Sequence, residues 1–226
     1  GFSVYAVVCL ASTVLLALFV IISWKYFGFH MILLLAGLQS IPRDLEEAAA
    51  VDGATRSQNQ AFVDLMIPIV KGWSTELGQE ISSLGVQVHG GMGYIEETGA
   101  AQHFRDARIT TIYEGTTGIQ ANDLIGRKIA REGGATIKAV IGSMLQVDAA
   151  LAKQEGEEFA AIHAGFARGV QALAEAATHI ATNFSQDIKG VHVGAVPFLR
   201  LMGIVSGGWQ MARAALVAQA KTAAGD

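Results

Sequence analysis

A carboxylate beside a glycine, followed at once by two hydroxyl side chains, occurs in the string Ile112-Tyr113-Glu114-Gly115-Thr116-Thr117-Gly118-Ile119-Gln120. With a new helix opening just after it, this pattern suits proton removal beside a nucleotide cofactor. Upstream lies a glycine-rich turn, Val88-His89-Gly90-Gly91-Met92-Gly93-Tyr94. A lone Glu-Gly between helices is ordinarily a turn, and a lone Gly-Gly-x-Gly is ordinarily a helix stop. It is the two strings together that point to chemistry.

Composition bounds the rest. The chain has 226 residues, enough for one large domain or two small ones. Its net charge is −4, with no basic patch, which argues against a nucleic-acid partner. Cys9 is the sole cysteine, so no disulfide forms within the chain. The histidines (30, 89, 103, 163, 179 and 192) show no close pairing, and no metal site is expected.

The apolar content is uneven. From Gly1 to Pro42 the only formal charge is Lys25. Such a stretch is read as membrane-type: one crossing over Gly1 to Trp24 with a shorter second over Tyr26 to Ile41, or a single long tilted helix. A signal peptide and a buried globular hairpin are the competing readings. Arg43 and Arg56 favour a cytoplasmic location for residues 43–226. Asp44 to Gly53 reads as a short helix stopped by Gly53.

Beyond Pro68 the pattern is helical throughout, with no convincing strand period, and the expected fold class is all-α. Trp73, Leu77, Ile81, Leu84 and Val88 form one stripe, ended by the Gly90–Gly93 cluster. Short helices are expected over 99–110 and 115–130, the latter with Ile119, Leu124, Ile125 and Ile129 apolar. Gly133-Gly134 marks a boundary. Three further stripes come after it: Ile137, Val140, Ile141, Met144 and Leu145; then Phe159, Ile162, Phe166, Leu173, Ile180 and Phe184; then Phe198, Leu201, Met202, Val205 and Trp209.

Two resemblances can be attached to these residues. Phe27-Gly28-Phe29-His30-Met31, Leu35 to Pro42, Glu47-Ala48-Ala49 and Val51-Asp52-Gly53-Ala54-Thr55 resemble the permease subunit of an ABC sugar importer. The resemblance implies that Glu47, Ala48, Ala49 and Gly53 belong to a cytoplasmic coupling helix that touches an ATPase subunit, and that residues 1–42 sit in an inner membrane. The pattern is not kept further on: Met66-Ile67-Pro68 falls too late for the family's second proline motif, and the chain offers no further membrane helices.

From about residue 59 the chain resembles the C-terminal helical domain of an acyl-CoA dehydrogenase. The residues that carry this are Leu84 to Tyr94, Arg105-Asp106-Ala107-Arg108-Ile109 and Ile112-Tyr113-Glu114-Gly115-Thr116. The resemblance implies that Glu114 is the base that removes the α-proton of an acyl-CoA thioester, while FAD takes the β-hydride. A base for this weakly acidic proton works where water is excluded, because burial raises a carboxyl pKa. Gly115 would let the thioester approach the backbone. Thr116, Thr117 and Gly118 would contact the flavin dinucleotide at a helix start, and Gln87, Val88, His89, Gly90 and Gly91 would form a second contact to a cofactor held mainly by a neighbouring subunit of a homo-oligomer. Arg105 and Asp106 would pair to orient the loop before Glu114. Glu96 and Glu97 are expected as an exposed capping pair. Electrons would pass to an electron-transferring flavoprotein.

The helices over 133–226 resemble the extension of a larger-subunit branch that includes enzymes acting on methylthio-propionyl-CoA-like thioesters. Three segments are therefore expected: 1–58 permease-like, 59–132 enzyme-like and 133–226 extension, with a join near Thr55–Asn59. The earlier enzyme domains are missing from this pattern, so the expectation is a chimera that carries an active-site base and is inactive alone.

Overall fold

The computed structural model describes residues 53–224, with side chains from 57 onward. The expected membrane segment, the helix around Glu47, Ala48 and Ala49, and their ATPase contact lie outside the described residues. Among the described residues no helix is long and apolar enough to cross a membrane.

Every regular element described is helical. Helix α1 runs from Gly53 to Val88. It passes without interruption through the expected join near Thr55–Asn59 and through Pro68, so the change of sequence character there is not a change of backbone. A single turn, α2, spans Gly91–Tyr94, and a 3-10 turn covers Glu96–Thr98. Helix α3 is Ala100–Arg108, continued by a 3-10 turn over Ile109–Thr111. Helix α4 is Thr117–Asp123. Four more helices complete the described chain: α5 Ala135–Leu151, α6 Glu157–Asn183, α7 Ile188–Val193 and α8 Ala195–Ala224.

Contacts group the described residues into two compact units, 74–117 and, separately, 53–73 with 118–224. These units cut across the three sequence segments, and α1 contributes to both.

The larger unit is built on α5, α6 and α8. Helix α5 packs on α6, and α6 on α8. Ile137, Val140, Ile141 and Met144 are buried, as are Phe166, Val170, Leu173, Ala177 and Ile180 of α6, and Phe198, Met202, Val205 and Trp209 of α8. The spacing of three and four puts these residues on one face of each helix. Gly133 and Gly134 take positive φ and close the preceding turn, with N–H groups donating to the Ala130 and Ile129 carbonyls. Asp187 caps α7 by accepting the Gly190 N–H at 2.9 Å. Pro197 sits in the first turn of α8, where a missing N–H costs least.

Several expected core positions are placed otherwise. Leu84, Val88, Ile119, Ile162 and Leu145 are exposed. The helix expected over 115–130 is not one α-helix. After Asp123 the chain widens into a π-helix, Leu124–Ile129, and then a 3-10 turn, Ala130–Glu132. The wider turn brings Leu124, Ile125 and Ile129 inward together, leaving Ile119 on the outer side.

Helix α1 meets α8 in this unit at two glycines. A Cβ added at Gly203 would lie 2.4 Å from Trp73 Cγ, and one at Gly72 would lie 2.9 Å from a Leu199 methyl. Two glycines therefore let a Trp and a Leu fill the gap between the backbones. Gly203→Ala should destabilise by about 1–3 kcal/mol, because an indole ring cannot move aside without repacking. Thermal denaturation should show the melting temperature falling by about 2–4 °C for each of those kcal/mol. Gly142→Ala, on α5 with nothing within 4 Å, should leave it unchanged or raise it.

Candidate active site

Both strings singled out in the sequence lie within the unit 74–117, apart from Gly118, Ile119 and Gln120, which belong to the other unit.

Glu114 has φ +56°, the one positive φ at a non-glycine among the described residues, and Gly115 comes next at +93°. A left-handed residue with a Cβ costs about 1–2 kcal/mol. The turn is fixed on its upstream side by local bonds. The Ile112 and Tyr113 N–H groups donate to the Ile109 carbonyl at 3.0 and 3.1 Å. The hydroxyl of Thr110 donates to the Ala107 carbonyl at 2.7 Å, and that of Thr111 to the Arg108 carbonyl at 3.1 Å. On the downstream side Thr117 donates from Oγ1 to Glu76 Oε1 of α1 at 2.5 Å.

Glu114 is exposed, and so is Thr116. The expected burial of the base is not provided by the described residues. Three apolar residues just before it are exposed as well: Ile109, Ile112 and Tyr113 at 54%, 49% and 48%.

The glycine-rich turn begins where α1 ends. Gly90 has φ +60° and ψ −143°, a conformation that only glycine adopts readily. A Cβ on Gly93 would meet the Val86 carbonyl oxygen at 2.2 Å, so the turn folds back tightly on α1. Gly91 differs from both. Its φ is ordinary, and a Cβ there would have nothing within 4 Å. Gln87, Val88, Gly90 and Gly91 are exposed. His89 is half-buried and donates from Nδ1 to the Gly85 carbonyl at 2.9 Å.

The partner of Arg105 is not Asp106 but Glu96, at 2.7 Å. The sequence neighbours on α3 point to different sides of the helix, whereas Glu96 heads the 3-10 turn before it. The hydrogen bond from Arg105 lowers the Glu96 carboxyl below the usual range. Glu96 is thus an ion-pair partner, in addition to an acid placed at a helix start. Sequence reasoning missed this pair and missed Glu76; neither contact leaves a periodic trace. Among the described residues no cluster of three His, Cys, Asp or Glu is placed to hold a metal ion.

Comparison with known proteins bears on these strings. Residues 44–129 match the family model described as acyl-CoA dehydrogenase, C-terminal domain, and residues 135–226 match one described as acetyl-CoA dehydrogenase C-terminal like. Residues 5–72 match a binding-protein-dependent transport system inner membrane component, so 44–72 falls under two models. The chain is 44% identical to the 3-methylmercaptopropionyl-CoA dehydrogenase of Ruegeria pomeroyi over 75% of its own length and 29% of that protein. It is 33% identical to the broad-specificity linear acyl-CoA dehydrogenase of Mycobacterium tuberculosis, over 81% of its length and 31% of the relative. A shorter match, 44% identical over 23% of the chain and 14% of the relative, is to a caffeyl-CoA reductase-Etf complex subunit of Acetobacterium woodii. The chain therefore spans about three tenths of the two longer-matching relatives.

The Glu96–Arg105 pair gives a testable sign. Because the folded carboxyl is lowered, its stabilising effect is present above the ordinary carboxylate pKa and is lost as pH falls through the lowered value. In Arg105→Gln, a carboxyl-resolved NMR titration should find Glu96 shifted up toward the usual range; an unmoved Glu96 would contradict the pairing.

Together the two matched segments show that this chain carries a C-terminal fragment of an acyl-CoA dehydrogenase.

Proposed function

We propose that this fragment contributes the base side of an FAD-dependent acyl-CoA dehydrogenase site, with Glu114 as the group that removes the α-proton of the thioester. The observation that carries the reading is the left-handed, outward-facing Glu114–Gly115 turn inside the matched segment. An exposed carboxylate in water is a weak base for such a proton. Apolar cover over Ile109, Ile112 and Tyr113 would exclude water and raise its basicity. That cover would come from outside the described residues.

FAD, when bound, accepts the β-hydride and leaves a 2-enoyl-CoA. The chain's own residues fit one edge of such a site. Nothing within the described chain accounts for a glycine at position 91, and an open, exposed backbone there suits close approach by a cofactor. Gln87, Val88 and Gly90 share that open surface, and Thr116 lies next to the base. Gly115 keeps the thioester side of the base free of a side chain. His89 lies in the same stretch and bonds through Nδ1 to the Gly85 carbonyl. The substrate class is an acyl-CoA thioester, and the identity with the 3-methylmercaptopropionyl-CoA enzyme favours that branch. A homo-oligomer and an electron-transferring flavoprotein are the expected partners; one relative is itself a subunit of an Etf complex.

A second reading rests on the transporter-model match over 5–72. In it the chain is a chimera whose residues 1–58 derive from a permease, with Glu47, Ala48, Ala49 and Gly53 from the ATPase-contacting helix. Co-purification of a nucleotide-binding subunit with the detergent-extracted full chain would support working coupling, and its repeated absence would remove it.

The enzyme reading is tested in a hybrid in which residues 59–226 replace the matching part of the Ruegeria pomeroyi enzyme. The hybrid should bind FAD and be bleached by acyl-CoA. Glu114→Gln should keep the flavin spectrum and lower the bleaching rate by about 10²–10⁴-fold, the usual worth of a positioned base. A Glu114→Gln hybrid as fast as its parent would exclude Glu114 as the base.

A further inference from the structure

The left-handed turn at Glu114 and Gly115 is tied locally on one side and at long range on the other. Upstream, every bond described above stays within a few residues: Thr110 to Ala107, Thr111 to Arg108, and the Ile112 and Tyr113 amides to Ile109. Downstream, Thr117 reaches Glu76, 41 residues earlier on α1 and within the same compact unit. At 2.5 Å this has the length of a charge-assisted O–H···O⁻ bond, roughly twice as strong as a neutral one. A threonine hydroxyl has one proton to donate, and here Glu76 receives it.

We propose that Glu76 is a positioning residue for the base: by holding the Thr117 hydroxyl, it fixes the far end of the Glu114–Gly115 turn. The inference rests on the reading of Glu114 as the base and adds the residue that sets its direction. It also gives Thr117 a different duty from the flavin contact expected of it. With its one hydrogen donated to Glu76, the hydroxyl serves the turn and has no further hydrogen bond to donate to a cofactor oxygen. The strained φ at Glu114 makes such an anchor necessary, because a left-handed residue relaxes to an ordinary basin when one end of its turn is let go.

The test uses the full chain and a glutamate-specific protease, with cleavage sites read by mass spectrometry. Cleavage after Glu114 needs the turn to open, and its rate tracks the population of the open form. Cleavage after Glu155, exposed in the loop between α5 and α6, is the internal reference. Glu76→Ala and Thr117→Val should each raise cleavage after Glu114, relative to Glu155, by about tenfold, as expected when a hydrogen bond to a charged group is lost. The double variant should be no faster than either single one, because both remove the same bond. Thr117→Ser keeps the donor and should restore resistance to within about twofold of the parent, and Glu76→Gln keeps an acceptor without the charge and should restore part of it. Unchanged cleavage after Glu114 in Glu76→Ala, equal acceleration at Glu155, or failure of the conservative variants to restore resistance would each overturn the proposal. Proteolysis reads the backbone and not the chemistry. Its outcome is therefore separate from that of the Glu114→Gln hybrid, which alone tests the base.

Discussion

A side chain with a Cβ held at φ +56° is the constraint on which this unit depends. Glu114 pays for that conformation in steric repulsion, and glycine would meet the same turn without it. The surrounding bonds are arranged to keep the turn in place. A 3-10 segment delivers the chain from α3, paired amides tie Ile112 and Tyr113 to Ile109, and Glu76 grips Thr117 beyond. The result is an exposed glutamate that follows a run of exposed apolar side chains. The residue type and the backbone work against each other here, as expected where a side chain is kept for chemistry rather than for stability.

The larger unit obeys ordinary packing rules. Three long helices bury one face each, and α1 crosses α8 where glycine makes room for Trp73 and Leu199. The π-helix at Leu124–Ile129 is the exception. It adjusts the phase of the chain so that three apolar side chains turn inward together. None of these features is chemical. Helices α5, α6 and α8 fall under the second of the two matched segments, and the turn falls under the first.

Much of the fold is readable from periodicity, because helices α5, α6 and α8 repeat apolar residues at three and four. Gly90 to Gly93 and Gly133-Gly134 are legible as stops for a local reason, the backbone freedom of glycine. The identity of the carboxylate string is legible through resemblance. Its exposure is not, since burial depends on surfaces that a local pattern does not encode. In sequence Arg105 has Asp106 as its neighbour, but Glu96 stands opposite it in space. Resemblance makes Thr117 a cofactor contact, yet its hydroxyl meets Glu76, a residue that no local window includes. Leu84 and Val88 continue an apolar stripe and still lie exposed, because periodicity shows which residues share a face and not whether anything covers it.

The central proposal is that Glu114 sits in a strained left-handed turn because its carboxylate serves as the base there. Thermal denaturation of Glu114→Gly measures that strain. Glycine at an unstrained position would lower stability by about 0.5–1 kcal/mol. At φ +56° it should instead raise stability by about 1 kcal/mol, a gain of about 2–4 °C in melting temperature. A fall in melting temperature would show that Glu114 is not strained, and the account would be contradicted.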